Sequence, residues 1–182
     1  GYGPSQVGFE KLTKNGSTLR FTGECGTLSF ETINSYQKKN IDILVLDHHQ
    51  SEIKLPNAYS IVNPNRFDDE SQLNYLCAAG VCFITCVALL RALRQSGHTE
   101  LPELLSFLDL VGLATFCDVV PIESLNRAFI RQGLVVMRNR RNTGLAALAD
   151  VAGLDKVVGE YECGFVLGPR INAAGRMGKS DI

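Results

Sequence analysis

Ile41-Asp42-Ile43-Leu44-Val45-Leu46-Asp47-His48-His49 decides how this chain folds. Six residues, apolar except for Asp42, read as a strand buried on both faces, the kind found in parallel sheets. The run ends in a carboxylate and two adjacent imidazoles, which are two of the three histidines in the chain. Open α/β sheets build their ligand sites beyond the carboxyl ends of their strands, so Asp47, His48 and His49 stand where chemistry is expected. A carboxylate with neutral imidazoles suits a divalent cation such as Mn, Zn or Fe, and the same cluster can touch a phosphate. A strand end turning into solvent would account for one histidine. Two of them directly after an aspartate point to a site.

Upstream, Leu19-Arg20-Phe21-Thr22 reads as a second strand, followed by Gly23-Glu24-Cys25-Gly26. Thr27 or Ser29 can cap the next helix, which carries Phe30, Ile33 and Tyr36 on one face and ends at Lys38-Lys39-Asn40. Strand, helix and strand over about thirty residues make a βαβ unit, with parallel strands and a right-handed crossover. Glu24 and Asp47 lie 23 positions apart, each just past its own strand, so the unit brings both carboxylates to one edge of the sheet. Further upstream, Phe9 and Leu12 sit on a short helical segment that Asn15-Gly16 ends.

Downstream, residues 50–72 read as a surface excursion holding Asn63-Pro64-Asn65 and the acidic Asp68-Asp69-Glu70, to which no role is given. Tyr75 to Leu90 is a run of sixteen uncharged residues. A membrane span needs about 20, so a buried core helix is expected, with Cys77, Cys82 and Cys86 as packing. A second apolar helix is expected from Leu101 to Ala114, with Pro102 at its start. It leads to Asp118, an isolated carboxylate between apolar neighbours that needs a cation, a donor or a metal if buried. Metal ligation and capping of the next helix are both open there. Ser124 to Met137 and Gly144 to Ala152 read as helices. Gly168-Pro169-Arg170-Ile171-Asn172-Ala173-Ala174-Gly175-Arg176 reads as an anion-binding loop. Its small residues admit close approach to the backbone, and its guanidinium forks match phosphate oxygens.

The 182 residues are 45% hydrophobic, enough for one domain or slightly more with a proper core. A net charge of −1 excludes a general basic field, so any phosphate contact must be local. The six cysteines lie in apolar surroundings without CxxC spacing, which fits reduced thiols in a cytoplasmic protein. A chain starting at Gly1 and stopping at Ile182 reads as a piece of a longer protein.

Asp47-His48-His49, the block Gly112 to Pro121 and the block Gly168 to Arg176, in this order and spacing, resemble the RecJ branch of the DHH phosphoesterase superfamily. The resemblance covers nearly the whole chain. It implies an α/β fold, a parallel sheet flanked by helices with a helical segment in the second half. Residues 1–182 would form part of a DHH catalytic domain, with an upstream Asp-x-Asp segment and C-terminal DHHA1 and oligonucleotide-binding domains outside them. The implied activity is metal-dependent 5′→3′ exonucleolytic hydrolysis of single-stranded DNA in repair and recombination, with two Mn²⁺ or Mg²⁺ ions. Implied partners are a helicase and a single-strand-binding protein, with no membrane. His48 and Asp118 would be metal ligands, His49 would contact the scissile phosphate, and Asp47 would orient the imidazoles. Arg170 and Arg176, with Asn172 between them, would bind substrate. Glu24 stands where the family has a metal-binding aspartate, one methylene shorter, so catalysis depends on where that longer side chain reaches. Two other readings are a DHH phosphodiesterase acting on short oligonucleotides or cyclic dinucleotides, and a non-catalytic single-stranded-DNA-binding relative.

Overall fold

The computed structural model describes residues 3–154 and 157–176, with side chains described as far as Ala173. The chain divides into two compact units, Gly1–Ala88 and Leu89–Ile182.

The first unit is the expected βαβ unit with an extra strand. β1 (Leu19–Gly23) and β2 (Asp42–Leu46) pair in parallel with Leu19 opposite Asp42 and Gly23 opposite Leu46. Helix α1 (Gln6–Lys14) precedes them, with Ser5 accepting from the Gly8 amide at its start. Helix α2 (Phe30–Gln37) connects them. Phe9, Ile33, Tyr36, Ile43, Val45 and Ile61 form the core beneath one face of the sheet. β2 is not buried on both faces as expected. Strand alternation puts Ile43 and Val45 into that core and turns Asp42, Leu44 and Leu46 to the other face, where Asp42 is exposed and the two leucines half-buried.

The excursion over residues 50–72 hides a third strand, β3 (Ser60–Val62), parallel to β2 with Leu44 opposite Ser60. Three residues between turn-forming neighbours carry too little periodicity to be read. Helix α3 (Ala78–Gln95) follows and continues past the first unit's last residue, Ala88. Its 18 residues, of mean hydropathy 1.4, are long and apolar enough to cross a membrane by length and composition only. The expectation of a buried core helix is corrected in degree. Ala78, Val81 and Leu90 are buried, while Val87 and Leu89 are exposed. A helix that is apolar all round does not announce which stripe will be covered.

In the second unit a 3₁₀ turn (Leu104–Phe107) leads into α4 (Leu108–Cys117), then α5 (Ser124–Arg138), α6 (Thr143–Val151) and the short α7 (Glu160–Glu162). A π turn (Cys163–Leu167) runs directly into α8 (Gly168–Arg176). The apolar run from Leu101 therefore begins its α-helix only at Leu108, and Pro102 lies in the preceding loop. Helices α4 and α5 pack closely at Gly112 and Gly133: a Cβ on Gly112 would come within 3.1 Å of the Phe129 carbonyl oxygen. Leu113, Met137, Leu145, Ala149, Cys163 and Leu167 make this unit's core.

The segment Gly168 to Arg176 is not a loop but α8. Gly168 has φ −56° and ψ −50°, ordinary helical values, so it serves no turn. A Cβ there would lie 2.7 Å from Cys117 Sγ and 2.9 Å from the Cys163 carbonyl oxygen. Its small size therefore serves packing within the chain.

Candidate metal and phosphate site

The parallel register ends β1 at Gly23 and β2 at Leu46, so Glu24 and Asp47 emerge side by side, and the Glu24 amide donates to the Leu46 carbonyl at 3.0 Å. Glu24 has φ +66° and Gly26 φ +124°. A left-handed conformation at a non-glycine residue costs about 1 kcal/mol or more, and such positions collect at functional sites. Gly26 could not be otherwise, because a Cβ would lie 2.7 Å from Thr22 Oγ1 and 3.0 Å from Val45 Cγ1. This turn aims the Glu24 carboxylate at the end of β2, where its Oε1 stands 3.3 Å from His48 Nε2.

Asp47 is almost fully buried, yet it is ringed by donors. Its Oδ2 accepts from the Thr27 amide at 3.0 Å, and its Oδ1 from the His48 amide at 2.8 Å and the His49 amide at 3.2 Å. Oδ1 also lies 2.7 Å from His49 Nδ1. Burial alone would raise the Asp47 pKa, but the hydrogen bonds from His49 and Thr27 outweigh it and hold the carboxyl down at about 2. Asp47 is thus a fixed anion. It holds the proton of His49 on Nδ1. The two imidazole rings stand edge to face, 4.6 Å apart.

A second layer of polar contacts holds the His48-His49 backbone. Asn63, buried beside β3, donates through Nδ2 to the His49 carbonyl and to Thr27 Oγ1, both at 2.9 Å. Asn65 donates to the His48 carbonyl at 2.6 Å, and its own amide donates to Asn63 Oδ1 at 2.8 Å. Thr27, Asn63 and Asn65 were missed in the sequence. Asn63-Pro64-Asn65 spells a turn, and only the pairing of β3 with β2 shows that this turn braces the histidines.

Glu24, His48 and His49 each offer one ligand atom, all within 4.8 Å of one another. One carboxylate and two imidazoles this close fit a first-row divalent cation. Burial, with the Asp47 and Glu24 charges, pushes the Cys25 thiol up. A cavity of about 220 Å³ borders Glu24, Cys25, Gly26, Ser29, Asp47 and His49.

The remaining expected site residues belong to the second unit. Asp118, half-buried, is the C-cap of α4, with its amide donating to the Ala114 carbonyl at 2.9 Å. It does not cap the next helix, whose N-cap is Glu123. Arg170 is exposed and its Nη1 donates to the Val166 carbonyl one turn back, at 2.9 Å. Asn172 is exposed on the same helix. The Arg176 side chain lies outside the described residues.

Residues 4–115 match the model of the DHH family, N-terminal domain, which is more than half of the chain. The chain belongs to the DHH family. It is 37% identical to the single-stranded-DNA-specific exonuclease RecJ of Haemophilus influenzae, covering 100% of this chain and 32% of that protein. Identity to the Escherichia coli RecJ is 35%, over 97% of this chain and 32% of the relative. This DHH chain thus spans about a third of the length of these curated relatives. A crystal structure of exonuclease RecJ bound to manganese superposes with a TM-score of 0.80 at 29% identity, covering 100% of this chain and 44% of that one. RecJ of Thermus thermophilus in complex with Mn²⁺ gives 0.77 at 29% identity over 94% of this chain and 25% of that one.

Proposed function

We propose that this DHH chain is part of the catalytic core of a metal-dependent exonuclease that hydrolyses phosphodiester bonds of single-stranded DNA. The observation that carries the reading is the Asp47-fixed histidine pair facing Glu24, with all three ligand atoms within 4.8 Å, at the carboxyl edge of a parallel sheet. Relatives named as single-stranded-DNA-specific exonucleases, and RecJ structures holding Mn²⁺, support the same assignment. Glu24 and His48 would hold Mn²⁺ or Mg²⁺, and Asp118 is assigned a ligand role by the family resemblance. When bound, the cation supplies Lewis acidity toward phosphoryl oxygen and a lowered pKa for water.

The chain's own residues do the rest. Asp47 keeps the Nδ1 proton of His49 engaged, so Nε2 is the nitrogen that can meet a phosphate oxygen. Asn63 and Asn65 hold the histidine backbone, so the imidazoles are ordered before substrate arrives. Arg170, Asn172 and Arg176 are assigned to the substrate backbone, where guanidinium forks meet phosphate. A cytoplasmic place, a role in DNA repair and recombination, and work alongside a helicase and a single-strand-binding protein belong to the same proposal.

The test uses the full-length protein with Mn²⁺ and 5′-phosphorylated oligonucleotides. Expected are mononucleotides released from single strands, little attack on duplex, and a loss of about 10³-fold or more in His48→Ala. Preferential cleavage of dinucleotides would favour a short-oligonucleotide phosphodiesterase. Salt-dependent binding without turnover would favour a non-catalytic relative.

A further inference from the structure

The loop that braces the histidines also shapes an open cavity of about 380 Å³ whose lining includes Gln50, Asn65, Phe67, Asp69, Gln72 and Asn74. Phe67 is 73% exposed there. Among the described residues the Gln72 and Asn74 side-chain amides have no hydrogen-bond partner, and Gln72 is presented from a left-handed conformation, φ +57°. Asn65, by contrast, is fully used: Oδ1 accepts from Gln50 Nε2 at 3.2 Å and Nδ2 donates to the His48 carbonyl. It joins the cavity directly to the backbone of the histidine pair.

The chemistry of the lining selects its ligand. Asp69 carries the cavity's carboxylate, its Oδ1 accepting from the Ser71 amide and hydroxyl and its Oδ2 turned to no described donor, and the lining cation, Arg66, is engaged by Asp68 and by the Ile61 carbonyl, so a phosphate would find repulsion. An uncharged planar ring with donors and acceptors on its edge finds what it needs. The Phe67 face offers stacking, the two amides offer donors and acceptors, and the carboxylate accepts from ring or exocyclic N–H. We propose that this cavity is a nucleobase subsite, with one base of the substrate strand stacked on Phe67 while its edge meets Gln72, Asn74 and Asp69. The inference rests on the nuclease reading and adds a base-contacting residue to it. Because the subsite leans on the His48 carbonyl through Asn65, it fixes the strand relative to the phosphate site.

The experiment measures binding of a 5′-phosphorylated, fluorescently labelled single strand to the full-length protein in metal-free buffer, for wild type, Phe67→Ala and Phe67→Trp. It is repeated with strands carrying one abasic nucleotide at successive positions from the 5′ end. Phe67→Ala is expected to weaken binding by about 5- to 150-fold, the range for one lost base–aromatic stack. Phe67→Trp should bind like wild type. One abasic position should weaken wild type yet leave Phe67→Ala unchanged. Equal affinity of Phe67→Ala and wild type, with wild-type turnover intact, overturns the subsite alone. A wild-type protein that neither binds nor cleaves single strands overturns the nuclease reading and the subsite with it.

Discussion

The ends of β2 and α8 both present polar residues that the sequence marks for phosphate chemistry, but they are built in opposite ways. At Asp47-His48-His49 the polar groups are locked from behind: a buried carboxylate takes three hydrogen bonds from the histidines and Thr27 takes its other oxygen. At Gly168 to Arg176 the described polar side chains are exposed, and Arg170 is tied to the Val166 carbonyl of the π turn that feeds α8. The first region is pre-ordered by packing. The second is a helix whose small first residue is dictated by Cys117 and Cys163. The difference teaches that residue type marks a candidate, whereas the hydrogen bonds behind it distinguish a fixed group from a solvated one.

The sharpest way to break this comparison is Asp47→Asn. Every polar contact of the Asp47 carboxylate is as an acceptor, so an amide NH₂ must face either the Thr27 amide or the histidine donors. We expect a fall in activity of about 100-fold, through the lost orientation of His49, together with about 2 kcal/mol of stability. Kinetics and urea unfolding of the variant measure both. If activity and stability match wild type, Asp47 is not the post on which the histidines turn.

How far the sequence could be read follows the same division. Leu19 to Leu46 was legible because strand, helix and strand each have their own periodicity, and the βαβ rule then brought Glu24 and Asp47 to one edge. Ser60 to Val62 was not, because three residues between Pro56 and Pro64 offer no period to detect. Its absence also concealed Asn63 and Asn65, whose roles exist only once β3 lies against β2. At Gly168, smallness was legible but its purpose was not. Close approach by a neighbouring helix and close approach by a ligand demand the same residue, and only coordinates reveal Cys117 in the way.

Acid sharpens the comparison at one group. The Asp47 pKa lies at about 2, below the ordinary aspartate value of 3.8, so its contribution to stability is complete above pH about 4. It is lost as pH falls through about 2, because the unfolded chain takes up the proton first. The contribution is about 2 kcal/mol. Unfolding free energies measured from pH 5 down to pH 2 should fall more steeply in wild type than in Asp47→Asn, which has no carboxyl to protonate. Parallel curves would mean that the donors around Asp47 do not favour its anion.

Gly168→Ala gives the smallest expected effect and tests the other half of the contrast. The added methyl must displace Cys117 Sγ or the Cys163 carbonyl oxygen, the second being backbone of the π turn that feeds α8. Helix propensity pulls the other way, since alanine is favoured over glycine in a helix by about 1 kcal/mol. Overpacking a fitted interior costs about 1–3 kcal/mol, so the sum is a net loss of about 1 kcal/mol. Cys117→Ala removes the sulfur, and in that background Gly168→Ala should cost measurably less, which a double-mutant cycle in urea reads directly. A stabilised Gly168→Ala would show that the α4 contact does not demand glycine. The small residues of α8 would then need another explanation, with close approach of substrate the first to test.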